Sequence, residues 1–312
     1  MDLGTLLNSA LKLGGAPRNV TFSVDHSRLN ALVPADSVFF SVKDILFNRE
    51  YEFFPQFELS RPRDIIVDAG AHAGLYTLIA SLHAKEVVAL EPDHDIFQML
   101  STNVANNNLK NVVLKRSALW SENAPIRFYR RGNSQLGSIR TRKNTEPVLV
   151  DAISLDRLLD RTVGGQGRRI DLLKLDIEGT EFDVIPTSDD ETLWRISRIV
   201  AEIHTEHGNI QDLTSKLRKT GFNYVIVRRP FRKPINREIR ILADYKVKLM
   251  MRTVNLIIDL TDYSDWSSLI MFASRDSEDF QNSSLAALKS RIVETSLSRK
   301  SGGLLSRNEE SP

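Results

Sequence analysis

Branched apolar residues fall in short runs along this chain, and stretches at helical spacing separate them. Ile65-Ile66-Val67 is too short and too β-branched for a helix and reads as a buried parallel strand. Leu75 to Leu82 then resumes an apolar pattern at helical spacing. Val87-Val88-Ala89-Leu90 is a second strand. Ile96, Met99, Leu100 and Val104 mark a helix that closes at Asn106-Asn107-Asn108, where asparagine suits the left-handed turn. Val112-Val113-Leu114 is a third strand, Ile170 to Leu175 a fourth, Ile196 to Ile203 a fifth, Tyr224 to Val227 a sixth and Ser268 to Ala273 the last. Helices opened by Ser154, through Leu158-Leu159, and from Leu213 to Leu217 separate the later strands. Strands and helices in alternation predict an α/β fold with a doubly wound, Rossmann-like sheet.

Both ends depart from that rhythm. Residues 1–17 hold an amphipathic pattern ending at Gly14-Gly15. Packing on the domain is its expected use, because its apolar face has no large aromatic anchor for a membrane. Val20 to Val24 alternates like a strand, and Asp36 or Ser37 can cap a helix carrying Val38, Val42, Ile45 and Leu46. Tyr51, Phe53, Phe54 and Phe57 read first as core. Ile126 to Tyr129 and Val148 to Val150 suggest an added hairpin around a basic loop with Arg130, Arg131, Arg140, Arg142 and Lys143. Gly164-Gly165-Gln166-Gly167 is a loop and no phosphate cradle, since no strand precedes it. A long excursion follows Val227, opened by Pro230 and Pro234, which forbid a regular helix there. Beyond about 276 the tail is Ser-rich and charged, with a short helix expected over Leu285 to Val293 and disorder at the end. The expected division is an N-terminal appendage and lead-in segment (1–59), a main domain (60–275) with an insertion (228–265), and a flexible C-terminal tail (276–312).

Chemistry concentrates where the strands end. After Ile65-Ile66-Val67 comes Asp68-Ala69-Gly70-Ala71-His72-Ala73-Gly74, a strand–loop–helix unit with a ligand site at the strand's carboxyl end. A dinucleotide site would read G-x-G-x-x-G around a pyrophosphate; this loop reads D-x-G-x-x-x-G. The carboxylate of Asp68 would repel phosphate but can accept from a cationic amine, directly or through water. S-adenosylmethionine (SAM) fits, with a sulfonium, an ammonium and a carboxylate and no phosphate. Its carboxylate could take orphan N–H groups at the helix start. Glu91-Pro92 ends the second strand, at the distance where an acid accepts the ribose hydroxyls of an adenosine. No Gly-Lys-Ser/Thr follows the glycines, so a P-loop is excluded. The plainer reading makes Asp68 a cap and the glycines turn residues.

Asp176 and Glu178 sit at the carboxyl end of the fourth strand, where alternation places Lys174 and Asp176 on one face. Such a carboxylate pair can orient a hydroxyl, raise one pKa by repulsion, or hold a divalent cation. A surface turn with acids at a helix start is the alternative. His204 and His207 with Glu202 and Glu206 follow no well-known metal cage, so no metal is assigned, and His207 is expected to face solvent.

Three segments together, V-D-A-G-A-H-A-G-L-Y-T at 67–77, V-V-A-L-E-P at 87–92 and D-L-L-K-L-D-I-E-G-T-E at 171–181, resemble the FkbM-type SAM-dependent methyltransferases. The resemblance spans about 35 to 275 and implies a class I SAM methyltransferase sheet. It implies cofactor contacts from Asp68, Gly70, Ala71, His72, Gly74, Glu91 and Pro92. In that architecture the loop after the third strand meets the adenine edge, which points to Ser117 and Ala118. The family usually has Asn where this chain has His72, so backbone contact is the expectation there. Asp176, Glu178 and His204 would face the acceptor, with His204 as a general base and Lys174 as an orienting group. The resemblance also lays the segment around Tyr51 over the cofactor, making Tyr51 a secondary candidate.

The 312 residues, 41% hydrophobic and 26% charged, suffice for one elaborated α/β domain. There are no cysteines, so disulfides and thiolate metal sites are absent. A net charge of +2 is too mild to argue for nucleic acid. No stretch is apolar enough to span a bilayer, and the expected compartment is the cytoplasm. The expected activity is SAM-dependent O-methylation of a hydroxyl on a small molecule, sugar or lipid-type acceptor. A lid of arginines over a phosphorylated or carboxylated acceptor is one use of the excursion, and a homodimer contact is another. An RNA methyltransferase, or an idle SAM-binding scaffold, is the alternative.

Overall fold

The computed structural model describes residues 16–130, 146–162, 168–228, 239–241, 269–280, 285–286 and 292–297. The expectations for 1–15, the basic loop beyond Arg130, the Gly164 loop and most of the excursion lie outside them. Fifteen strands are described: β1 Arg18–Val24, β2 Ser27–Val33, β3 Arg63–Ala69, β4 Ala84–Leu90, β5 Val112–Lys115, β6 Ala118–Leu119, β7 Ile126–Tyr129 and β8 Pro147–Val150, then β9 Ala152–Ile153, β10 Leu172–Leu175, β11 Arg198–Ile203, β12 Asn223–Arg228, β13 Ile239–Ile241, β14 Leu269–Ser274 and β15 Ile292–Thr295. Eight of them form the central sheet, in the order β15-β12-β14-β11-β10-β3-β4-β5. β5, β4, β3, β10 and β11 run parallel. β14 inserts antiparallel between β11 and β12. The α/β, doubly wound, mostly parallel sheet expected from the sequence is therefore present.

Burial explains the strand sequences. Ile65, Ile66, Val67 and Ala69 are at most 1% exposed, as a strand covered on both faces requires. One face packs the helices Leu155–Thr162, Glu181–Thr187 and Ile210–Lys219 through Leu158, Ile185 and Leu217. The other packs Leu78, Ile79 and the aromatic residues of the lead-in segment. There Phe54 stands edge-on to Phe272 and Phe280 at 5.0 and 5.1 Å, so the core reading of Phe54 and Phe57 holds.

At the periphery the expected strand at Val20 to Val24 is present, and two other elements depart from expectation. Val20 to Val24 is half of a hairpin, β1–β2, turned by Asp25 and His26 at positive φ and extended by β13 from the insertion. The helix begun at Val38 becomes a π-helix over Val42–Asn48 and stops at Arg49 in the left-handed region. The tail is not wholly flexible: Ile292 and Val293 lie in β15, which pairs with β12 and takes the Tyr224 hydroxyl on Glu294 at 2.7 Å. β-branched residues there prefer the pleated edge to a helix.

Candidate active site

Strand order turns around between β3 and β10, and the loops after these two strands form one crevice rim. Gly70 and Gly74 hold φ of 76° and 90°, the left-handed region that glycine enters freely. A Cβ at Gly70 would run into the carbonyl oxygen of Asp176, so the glycine lets the two loops touch. His72 takes φ 51°, a region in which His and Asn are enriched over other side chains, which rationalises histidine in an asparagine position. Burial pushes the His72 imidazole down to about 4, leaving it neutral.

At the end of β4, Glu91 accepts the His72 N–H at 2.9 Å and the Asp93 N–H at 2.8 Å. A carboxylate offers about four acceptor positions, so two remain for ribose hydroxyls. Burial pushes Glu91 up to about 7, against the pull of those N–H groups. Pro92 leads into Asp93, which caps the helix His94–Asn106 through the Asp95 and Ile96 N–H groups and is clamped by Arg130 at 2.6 Å.

Asp68 and Lys174 both lie inside the wall of the crevice. Asp68 is fully buried, accepts from the Thr77 hydroxyl at 2.6 Å and lies 3.1 Å from the Lys174 ammonium. Lys174, 2% exposed, also donates to the Gly70 carbonyl at 3.0 Å, with the Tyr51 and Tyr76 rings 5.3 and 5.6 Å away. Its ammonium stands in the wall, 3.6 Å from Asp176, and braces the glycine loop. At the other rim, Ser117 and Ala118 spend their N–H groups on the carbonyls of Lys115 and Asp151. The Ser117 hydroxyl also turns to Asp151, at 3.1 Å. These two residues therefore bring shape more than donors.

Beyond Lys174, the crevice gathers Asp176, Glu178, Glu202 and His204 with Tyr51. The Tyr51 hydroxyl lies 3.0 Å from Asp176 Oδ2 and 3.1 Å from Glu202 Oε2. His204 Nε2 lies 3.8 Å from Glu202 and 3.9 Å from Glu178. Its Nδ1 meets Glu181 Oε1 at 3.0 Å, and the same oxygen accepts the His204 N–H. Glu181 is fully buried and its other oxygen accepts the Gly179 N–H at 2.9 Å. Burial would lower the His204 pKa, but the Glu181 hydrogen bond and the charges of Glu202, Glu181 and Glu178 outweigh it and push it up to about 10. These partners hold His204 toward its protonated, donating form in the free protein. His207 does not face solvent freely: it packs where a Cβ on Gly179 would stand.

Sequence reasoning ranked Tyr51 second and left Glu181 and Glu202 without a role. The available signal was polarity in the wrong place. Asn48, Arg49, Glu50, Tyr51 and Glu52 are all at most 5% exposed, and buried polar groups need partners. Arg49 pairs with Glu52 at 2.7 Å and Asn48 donates to Glu50 at 3.0 Å. This network holds Tyr51 over the carboxylates.

The methyltransferase FkbM domain matches residues 68–224. Methyltransferase 1 of Beauveria bassiana is 29% identical over 211 residues, 60% of this chain and 82% of that protein. Methyltransferase sdnD of Sordaria araneosa is 30% identical over 190 residues, 51% of this chain and 73% of its own. The 31-O-demethyl-FK506 methyltransferase FkbM of Streptomyces tacrolimicus is 27% identical over 201 residues, 54% of this chain and 76% of its own.

Proposed function

The chain belongs to the FkbM methyltransferase family, which makes it a SAM-dependent methyltransferase, and from that premise we propose that it methylates a hydroxyl oxygen. The carrying observation is the convergence of Asp176, Glu178 and Glu202 beside the glycine loop. An amine in such an acidic pocket stays protonated and loses its lone pair for attack. A hydroxyl gains nucleophilicity when a carboxylate takes its proton. The Streptomyces relative, a 31-O-demethyl-FK506 methyltransferase by name, supports the same side. The acidic lining also disfavours RNA, whose phosphates it would repel; most of the basic segments behind that alternative lie outside the described residues.

The residues present fit the cofactor. Gly70 and Gly74 keep the loop open of side chains, Glu91 has acceptor capacity for the ribose, and Lys174 with Thr77 fixes Asp68 beneath. SAM, when bound, supplies an electrophilic methyl group on a sulfonium that leaves as a neutral thioether. The chain's own contribution is positioning and proton removal. Asp176 or Glu178 receives the acceptor proton, Tyr51 holds Asp176 against Glu202, and His204 donates from the wall.

Labelled SAM with a panel of alcohols, sugars and matched amines tests this reading. Label should enter hydroxyl acceptors as alkali-stable ether, and Asp176→Asn with Glu178→Gln should abolish transfer with SAM affinity changed less than threefold. Label confined to amines would refute O-methylation.

A further inference from the structure

The added hairpin β7–β8 reaches the cofactor site through a chain of contacts. Its far end is Glu91, the acceptor proposed above for the ribose hydroxyls. Glu91 Oε2 takes the His72 N–H at 2.9 Å and its Oε1 takes the Asp93 N–H at 2.8 Å. Asp93, 9% exposed, opens the helix His94–Asn106, and its Oδ1 caps that helix by accepting from the Asp95 and Ile96 N–H groups at 2.9 and 3.2 Å.

Arg130, 37 residues beyond Asp93, supplies the last link. It follows directly on Phe128 and Tyr129, which are buried in β7. Its Nε stands 2.6 Å from Asp93 Oδ2 and its Nη2 donates to Oδ1 at 3.2 Å, the two-pronged pairing of a guanidinium with a carboxylate. Its Nη1 donates to Asp95 Oδ2 at 3.0 Å, so all three nitrogens are committed to the first turn of the helix. An exposed ion pair ordinarily contributes little to stability. Here one partner is nearly enclosed, already serves as a cap and passes its N–H to Glu91. Asp93 also adds its charge to the burial that pushes Glu91 up to about 7, while Lys174 and the two N–H groups pull the other way. Arg130 offsets that charge.

We propose that Arg130 is a positioning residue for the cofactor, holding the Glu91 carboxylate in place for the ribose hydroxyls of SAM by way of Asp93. The hairpin thereby supplies a working part of the cofactor site and is more than an ornament on the sheet. Loss of the guanidinium frees the Asp93 turn to shift its N–H away from Glu91. It also leaves the Asp93 charge unbalanced beside Glu91, which then keeps its proton to a higher pH and accepts less well. The inference deepens the cofactor reading and rests on Glu91 as the ribose acceptor.

Calorimetry of SAM binding to the full-length protein, repeated from about pH 6 to about pH 9, tests this with melting curves to verify that each variant is folded. At pH 7 Arg130→Gln should weaken binding about fivefold to tenfold and move the pH at which affinity rises upward by about half a unit. Arg130→Lys keeps the charge and loses the fork, so it should restore the pH of the rise and only part of the affinity. Arg127→Gln removes the same charge from an exposed position on β7 and should bind as the parent does. In a Glu91→Gln background, Arg130→Gln should cost less than about twofold, because the two residues act in series. Unchanged affinity in Arg130→Gln, a loss with no shift along the pH axis, or the same loss in both backgrounds would reduce Arg130 to a structural clamp and overturn the inference while Glu91 keeps its role. Unchanged affinity in Glu91→Gln at every pH would refute the ribose contact itself, and the inference with it.

Discussion

Replacing Lys174 by methionine removes one ammonium and leaves the shape nearly filled. The side chain is 3% exposed and Asp68, 3.1 Å away, is 0% exposed, so the substitution strands a carboxylate in the interior. Breaking a buried ion pair by removing one partner costs about 3–5 kcal/mol. A stranded aspartate can escape by taking up a proton. At about 1.36 kcal/mol per unit above an ordinary aspartate value near 3.9, that route caps the loss at about 5 kcal/mol at pH 7.5. The same reasoning caps it at about 2 kcal/mol at pH 5.5. Lys174→Met should therefore lower the urea-unfolding free energy by about 3–5 kcal/mol at pH 7.5 and by no more than about 2 at pH 5.5. Asp68→Asn combined with Lys174→Met should recover at least about 2 kcal/mol of the single-variant loss, because the pair acts as a unit. Tryptophan fluorescence in urea at the two pH values measures both. A loss below about 1 kcal/mol at pH 7.5, or an additive cycle, would refute the view that this pair braces the glycine loop.

Three further outcomes follow from the site. Glu91 is pushed up to about 7 by burial, so it is protonated below and ionised above that pH; SAM affinity should rise about tenfold from pH 6 to 8, and calorimetry on Glu91→Gln should find no such rise. By the same linkage the raised carboxylate stabilises the free fold at low pH, and that contribution fades as pH climbs through 7. Glu178 holds φ 53°, where a non-glycine residue is strained, so Glu178→Gly should raise stability by up to about 1 kcal/mol while methyl transfer collapses; unchanged turnover would remove Glu178 from the site. Tyr51→Phe keeps the ring beside Lys174 and deletes the proton near Asp176 and Glu202; steady-state assays should find turnover at least tenfold lower with melting within a few degrees of the parent.

The parallel strands were legible because each is an apolar run ending in a polar turn, and a sheet buried on both faces leaves that imprint. The glycine loop, Glu91 and the acidic turn after β10 were legible because their residue types are demanded locally, by φ, by strand-end position or by charge. Lys174 shows where local reading stops. Alternation put it on the face of Asp176, but only the β3–β10 register, which sets Lys174 beside Asp68, makes it part of the interior. Tyr51 reaches Asp176 and Glu202 across 125 and 151 residues, a pairing that no periodicity encodes. The π-helix before it departs from the 3.6 spacing of Val42 and Leu46, and β15 sat in a stretch whose composition spoke for disorder.

The N-terminal hairpin is docked by two asparagine amides that behave as pieces of a strand. Asn107 accepts from the Asn30 N–H and donates to its carbonyl, at 2.9 and 2.7 Å. Asn103 does the same for Leu32 and also donates to the Ala73 carbonyl of the glycine loop at 2.7 Å. One amide thus couples the appendage to the cofactor loop. A boundary drawn at residue 60 is consequently no place to cut: a fragment starting there would lose the hairpin that holds Asn103 in place. Amide hydrogen exchange in β1–β2 would slow when the loop is occupied, and the hairpin becomes a distant reporter of whether the cofactor is home.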